Sequence, residues 1–147
     1  MIHIEPHPDF PDIELLKHAA RVTLEQQSAS DDDITIVLTD DDQLHELNQE
    51  YLGVDAPTDV LSFPASESDP ETGARYLGDI LISVQRAAQQ AQAGGHALEA
   101  EVQLLVVHGT LHLLGHDHAE AEEKARMWAA QTEVLKRLGL SRVTIHE

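Results

Sequence analysis

Two histidines four residues apart, His108 and His112, lie in an apolar run that opens with Leu104-Leu105-Val106-Val107 and closes with Leu113-Leu114. A third, His118, follows three residues after Gly115. On a helix, positions four apart share one face, one turn from each other. Residues apolar around most of the circumference make that helix a buried one. Imidazoles without a partner there cost about 1–3 kcal/mol each. A shared metal ion removes the cost, since both rings reach one ion at Zn–N ~2.0–2.1 Å. Gly115 supplies a backbone that leaves the helix and folds back, bringing His118 to the same ion. Three histidines on one Zn²⁺, or on another divalent transition metal, leave a fourth tetrahedral position for water, as catalytic sites do. The expected ligands are therefore His108, His112 and His118. His116 is expected to point away from the ion, and His3, His7, His18, His45, His96 and His146 are read as surface histidines.

The rest of the chain supports a single α+β (mixed α/β) domain over residues 1–147, with a roughly four-stranded mixed sheet packed against helices and the metal site on a central helix. At 147 residues the length is that of one domain. Strands are expected at 2–5, 34–38, 59–63 (stopped by Pro64) and 77–82. A polar surface loop is expected from Ala65 to Arg75. Helices are expected from Phe10-Pro11-Asp12 to about Gln27, and from about Asp40 to Glu50 with Thr39 as N-cap. Further helices follow from Ser83 to Gly94, from Ala97 to Leu114 and from Ala119 to Leu138. Val143 to Ile145 reads as a terminal extended piece. Asp40-Asp41-Asp42 reads as helix capping rather than as a calcium site.

Charge and composition narrow the function. The net charge is −18, with −15 on residues 1–95 and −3 on residues 96–147, so an anionic partner is expected to approach the C-terminal third. With no cysteine, disulfide scaffolds, thiol catalysis and cysteine-based zinc sites are excluded. The first residues lack the basic and apolar regions of a signal peptide, and no apolar run has the ~18–20 residues of a membrane span, so a cytoplasmic protein without a membrane partner is expected.

The spacing H-x-x-x-H-x-x-G-x-x-H also fits the metzincin metalloproteases, where a glutamate after the first histidine serves as general base. Here that position is Gly109, which has no side chain to activate water. Met127, beside Trp128, reads as core rather than as a metzincin methionine turn.

The stretch His108-Gly109-Thr110-Leu111-His112-Leu113-Leu114-Gly115-His116-Asp117-His118 resembles the HGxLHLxGYDH signature of the YbeY family of rRNA-maturation endoribonucleases. Leu47-Asn48 through Tyr51, Thr58-Asp59-Val60-Leu61-Ser62-Phe63-Pro64, and Leu77-Gly78-Asp79-Ile80 with Ile82-Ser83 resemble further segments of that family in the same order. The resemblance implies zinc on His108, His112 and His118. It also implies an endoribonuclease acting on single-strand-type RNA in small-subunit rRNA 3′-end maturation and ribosome quality control, with RNA and the small ribosomal subunit, not DNA, as partners. Position 116 is His where the family usually has Tyr, and position 52 is Leu where the family places Arg. Leu52 cannot hold a phosphate; Arg75, Arg86, Lys124 and Arg126 read as solvated surface charge, with replacement of that contact as their alternative role. Asp117 is expected to orient a ligand or water, or else to cap the last helix, while Asp59 and Asp79 read as strand-end residues. Two alternatives stay open: another three-histidine zinc hydrolase, such as a peptidase or amidohydrolase, and a ribosome-associated binding factor with weak catalysis.

Overall fold

Alternation of side chains across a sheet gives each strand two faces, and here both faces are covered unequally. The computed structural model describes residues 1–141 and 143. Strands β1 (Ile2–Glu5), β2 (Asp33–Thr39), β3 (Val60–Ser68) and β4 (Arg75–Ser83) form one sheet in the order β1-β2-β4-β3. The first two pairings are parallel, and β3 runs antiparallel to β4 at the edge. Helix α2 (Asp41–Leu52) lies on one face over Leu61, Leu81 and Phe63, with its own Leu44 fully buried. The other face, Ile34, Ile36, Ile80 and Ile82, carries the main core under α1 (Ile13–Gln26), α3 (Val84–Gly94), α4 (Leu98–Leu113) and α5 (Ala121–Arg137). No described helix is long and apolar enough to cross a membrane.

Helix α4 is the buried centre. It touches α1, α3, α5, β3 and β4, which is why its residues are apolar all round. Gly109 sets its distance from the sheet: a Cβ there would meet Ile80 Cγ2 at 2.7 Å. Its carbonyl also accepts a hydrogen bond from Ser62 Oγ at 3.4 Å. The absence of a glutamate at this position thus has a packing cause. Gly109→Ala is expected to destabilise the fold by about 1–2 kcal/mol, because overpacking outweighs the ~1 kcal/mol gain in helix propensity. The midpoint of urea unfolding reads this, and an unchanged midpoint would show that helix and strand have room to part.

Several local expectations are corrected. Strand β3 does not stop at Pro64 but continues to Ser68, with a register shift between Pro64 and Glu67. A proline is tolerated because β3 is an edge strand, where a missing N–H breaks no ladder bond on the solvent side. The expected loop 65–75 is therefore mostly strand, with the turn confined to residues 69–74. The N-cap of α2 is Asp40, whose Oδ1 accepts from Gln43 N at 2.8 Å, and not Thr39, whose hydroxyl bonds the Gln43 side chain at the end of β2. Asp41 pairs with Arg86 at 2.9 Å. Asp79 lies inside β4, bonded by the Tyr76 hydroxyl, rather than at a strand end. Met127 is fully buried, as a core residue should be. The piece expected at 143–145 runs beyond the described residues, as does His146.

Candidate metal centre

The last turn of α4 ends in a Schellman closure: His116 N–H bonds Leu111 O at 3.0 Å and Gly115 N–H bonds His112 O at 3.0 Å. Gly115 takes φ +98°, a left-handed value that side-chain-bearing residues rarely adopt. The chain thereby turns back over the helix end, and Asp117 Oδ1 accepts from His118 N–H at 2.7 Å, fixing the turn that presents His118. Asp117 neither caps α5, whose N-cap is Glu120, nor bonds a ligand ring.

One ligand atom from each of His108, His112 and His118 lies within 4.8 Å of the others, and among the described residues this is the group that could hold a metal ion. The donor chemistry fits a cation. His108 Nε2 and His112 Nε2 face each other at 3.0 Å. Nδ1 of His108 is engaged by Gln131 Oε1 at 2.8 Å, which places the proton of the neutral ring on Nδ1 and a lone pair on Nε2. The His112 ring hydrogen-bonds the His116 backbone, so it too has a lone pair left to offer. Two lone pairs brought this close call for a positive centre between them; tetrahedral coordination at ~2.0–2.1 Å sets ligand nitrogens ~3.3 Å apart. His116 takes no part, its Nε2 bonding Gln27 Oε1 at the end of α1 at 2.8 Å.

Burial keeps the rings neutral. It lowers the His108 pKa to about 4, against the support of its Gln131 hydrogen bond, and lowers that of His112 as well. Proton competition for these two rings therefore sets in below the ordinary histidine value of 6.5. The same shift couples to folding in the chelated protein. Between pH 6.5 and about 4 the unfolded chain binds a proton at His108 that the folded chain does not. Stability is thus full above 6.5 and falls as the pH drops toward 4. Urea unfolding of chelated protein across this range should show the loss, and His108→Asn should flatten it; an equal pH slope in the variant would remove His108 as its source.

Three features of the site escape the sequence. Gln131, fully buried on α5, orients His108, and its Nε2 has no partner among the described residues. Trp128, one turn earlier, sets its ring edgewise against His108 and His118 at 6.2 and 5.7 Å, with Lys124 over it at 5.4 Å. A cleft of about 570 Å³ opens in front of the histidines, lined also by Leu52, Asp59, Ser62 and Asp117. Among the described residues no lysine or arginine lines it. Arg75 pairs with Asp32 at 2.7 Å and Arg86 with Asp41, while Arg126 lies in a neighbouring groove beside His116. His96 is not a surface residue: its ring meets the fully buried Glu101 at 2.6 Å.

The fold and site define an α+β domain with a three-histidine centre competent to hold a metal ion at the floor of an open cleft. A family profile described as "Endoribonuclease YbeY" matches residues 9–139. The chain belongs to this family. "Endoribonuclease YbeY" of Roseiflexus sp. (strain RS-1) is 46% identical over 146 residues, covering 95% of this chain and 91% of the relative. The protein of that name from Shouchella clausii (strain KSM-K16) is 45% identical over 139 residues, covering 88% and 84%. The solution structure of TM1509 from Thermotoga maritima superposes with a TM-score of 0.61 at 28% identity, over 98% of this chain and 97% of that one.

Proposed function

We propose that the chain, acting as one domain over 1–147, is a metal-dependent endoribonuclease with zinc on His108, His112 and His118. On the strength of the family likeness, its substrate is the 3′ end of small-subunit rRNA, handled in the cytoplasm on or near the small ribosomal subunit and in ribosome quality control. The observation that carries this reading is the pair of Nε2 atoms at 3.0 Å, each ring held from its other side. When bound, the metal supplies Lewis acidity, bringing the pKa of water toward ~7 and offsetting charge on a phosphoryl oxygen. Gln131 and the His116 backbone hold His108 and His112 in the tautomers that bind. Asp59 lines the cleft, and its carboxylate would be the group there to accept a proton from an attacking water. Asp117 keeps the His118 turn in place. The peptidase reading is weakened by Gly109, whose place on Ile80 leaves no room for a glutamate base. A binding factor with weak catalysis is favoured by one observation, the cleft without lysine or arginine among its described residues.

The test is cleavage of a small-subunit rRNA 3′ fragment and, separately, of casein, by chelated protein before and after zinc is restored. RNA cleavage that returns with zinc, with casein intact, is the expected result. RNA cleavage indifferent to chelation, or casein cleavage alone, would overturn the proposal.

A further inference from the structure

Four large apolar side chains are exposed among the described residues, and three of them cluster where α2 ends: Tyr51, Leu52 and Val54, at 62%, 60% and 47% exposure. Leu52 also lines the cleft in front of the histidines. Tyr51 sets its ring edge-on to Phe63 at 5.6 Å, and Phe63 stands on β3 between Ser62 and Pro64, both cleft residues. The patch is therefore the apolar continuation of the cleft across the outer edge of β3.

Its surroundings decide what it takes. Helix α2 carries no lysine or arginine, its sequence including Asp41, Asp42, Glu46 and Glu50. The cleft has no described lysine or arginine, and the chain carries −18. Among the described residues a phosphate backbone finds no lysine or arginine to pair with there, and a second copy of so acidic a chain is repelled. What remains attractive in RNA is the face of an unpaired base, which stacks on aromatic side chains without needing charge. Resting on the RNA reading above, we infer that the Tyr51–Leu52–Val54 rim receives a nucleobase of single-stranded RNA next to the phosphodiester in the cleft. Tyr51 offers the stacking ring, held by Phe63, while Leu52 and Val54 flank it.

Fluorescence anisotropy with chelated protein tests this. The probes are single-stranded hexaadenylate, a ribose-phosphate hexamer lacking bases, and a blunt RNA duplex. Wild type is expected to bind hexaadenylate about tenfold more tightly than either other probe, and Tyr51→Ala to lose about that factor. Tyr51→Phe, which keeps the ring, should stay within about twofold of wild type, and melting temperatures show that the variants are folded. With no cation on the phosphates, affinity should stay level or rise with salt as repulsion is screened, and Leu52→Arg should shift the log–log slope by about −0.7, one added phosphate contact. Equal binding of the base-less hexamer, or unchanged binding by folded Tyr51→Ala, would overturn the inference. Dimerisation abolished by Leu52→Asp, with oligonucleotide binding unaltered, would also overturn it and assign the patch to self-association. If zinc-loaded wild type still cleaves RNA in any of these cases, the enzymatic reading survives. If no RNA is bound or cut in any form, both fall.

Discussion

His112→Ala is expected to leave the centre without metal and RNA cleavage at the level of chelated wild type. The two Nε2 atoms of His108 and His112 share one opening, and removing the second leaves His108 with only the exposed His118 to complete a site. Loss of a supporting hydrogen bond alone weakens metal sites about 10–100-fold, so loss of a ligand should exceed about 100-fold. Metal per chain by elemental analysis after dialysis against dilute chelator should drop from about one to near zero. Undiminished metal content would move the site elsewhere. Cleavage by the variant equal to that of wild type would mark the activity as a contaminant. Removal of a half-buried ring leaves a small gap beside His108 and His118, and a near-native melting curve for the metal-free variant separates loss of function from loss of fold.

Gln131→Leu should weaken metal binding about 10–100-fold while all three histidines remain. The amide oxygen is what keeps the His108 proton on Nδ1; without it the ring is free to place the proton on Nε2, where it blocks the ion. The variant also buries the His108 N–H without an acceptor, costing about 1–3 kcal/mol in urea unfolding of chelated protein. Gln131→Glu keeps an acceptor and should bind at least as tightly as wild type. Competition with a chromophoric chelator measures all three proteins. Equal affinities for leucine and glutamine at this position would mean that the tautomer is fixed by something else.

The part of the site that could be read from the sequence is the part built by one stretch of chain. His108, His112, Gly115 and His118 fall within a single helix end, so spacing and a left-handed glycine suffice to bring them together. Gln131 and Trp128 come from α5, and which of its faces meets α4 depends on packing that no short-range pattern records. The strands were readable by their alternation, but not the order in which they lie. Pro64 illustrates this: a proline would end a central strand, and only the outermost position of β3 explains why it passes. His96 was misread for a similar reason, because Glu101 sits across a helix start and its burial is set by the surrounding core. The charge imbalance was plain from composition, whereas the absence of lysine and arginine from the cleft among the described residues depends on packing, with Arg75 and Arg86 paired to Asp32 and Asp41.

Close seating of Gly109 on Ile80 also bears on what this scaffold can become. Its histidine frame is one substitution from that of a glutamate-dependent protease, yet the added carboxylate would be driven into the strand beneath. Conversion demands a paired change, a smaller residue at 80 together with the acid at 109, and either half alone is a loss. A protease on this frame therefore needs two coordinated changes, because the first alone meets Ile80.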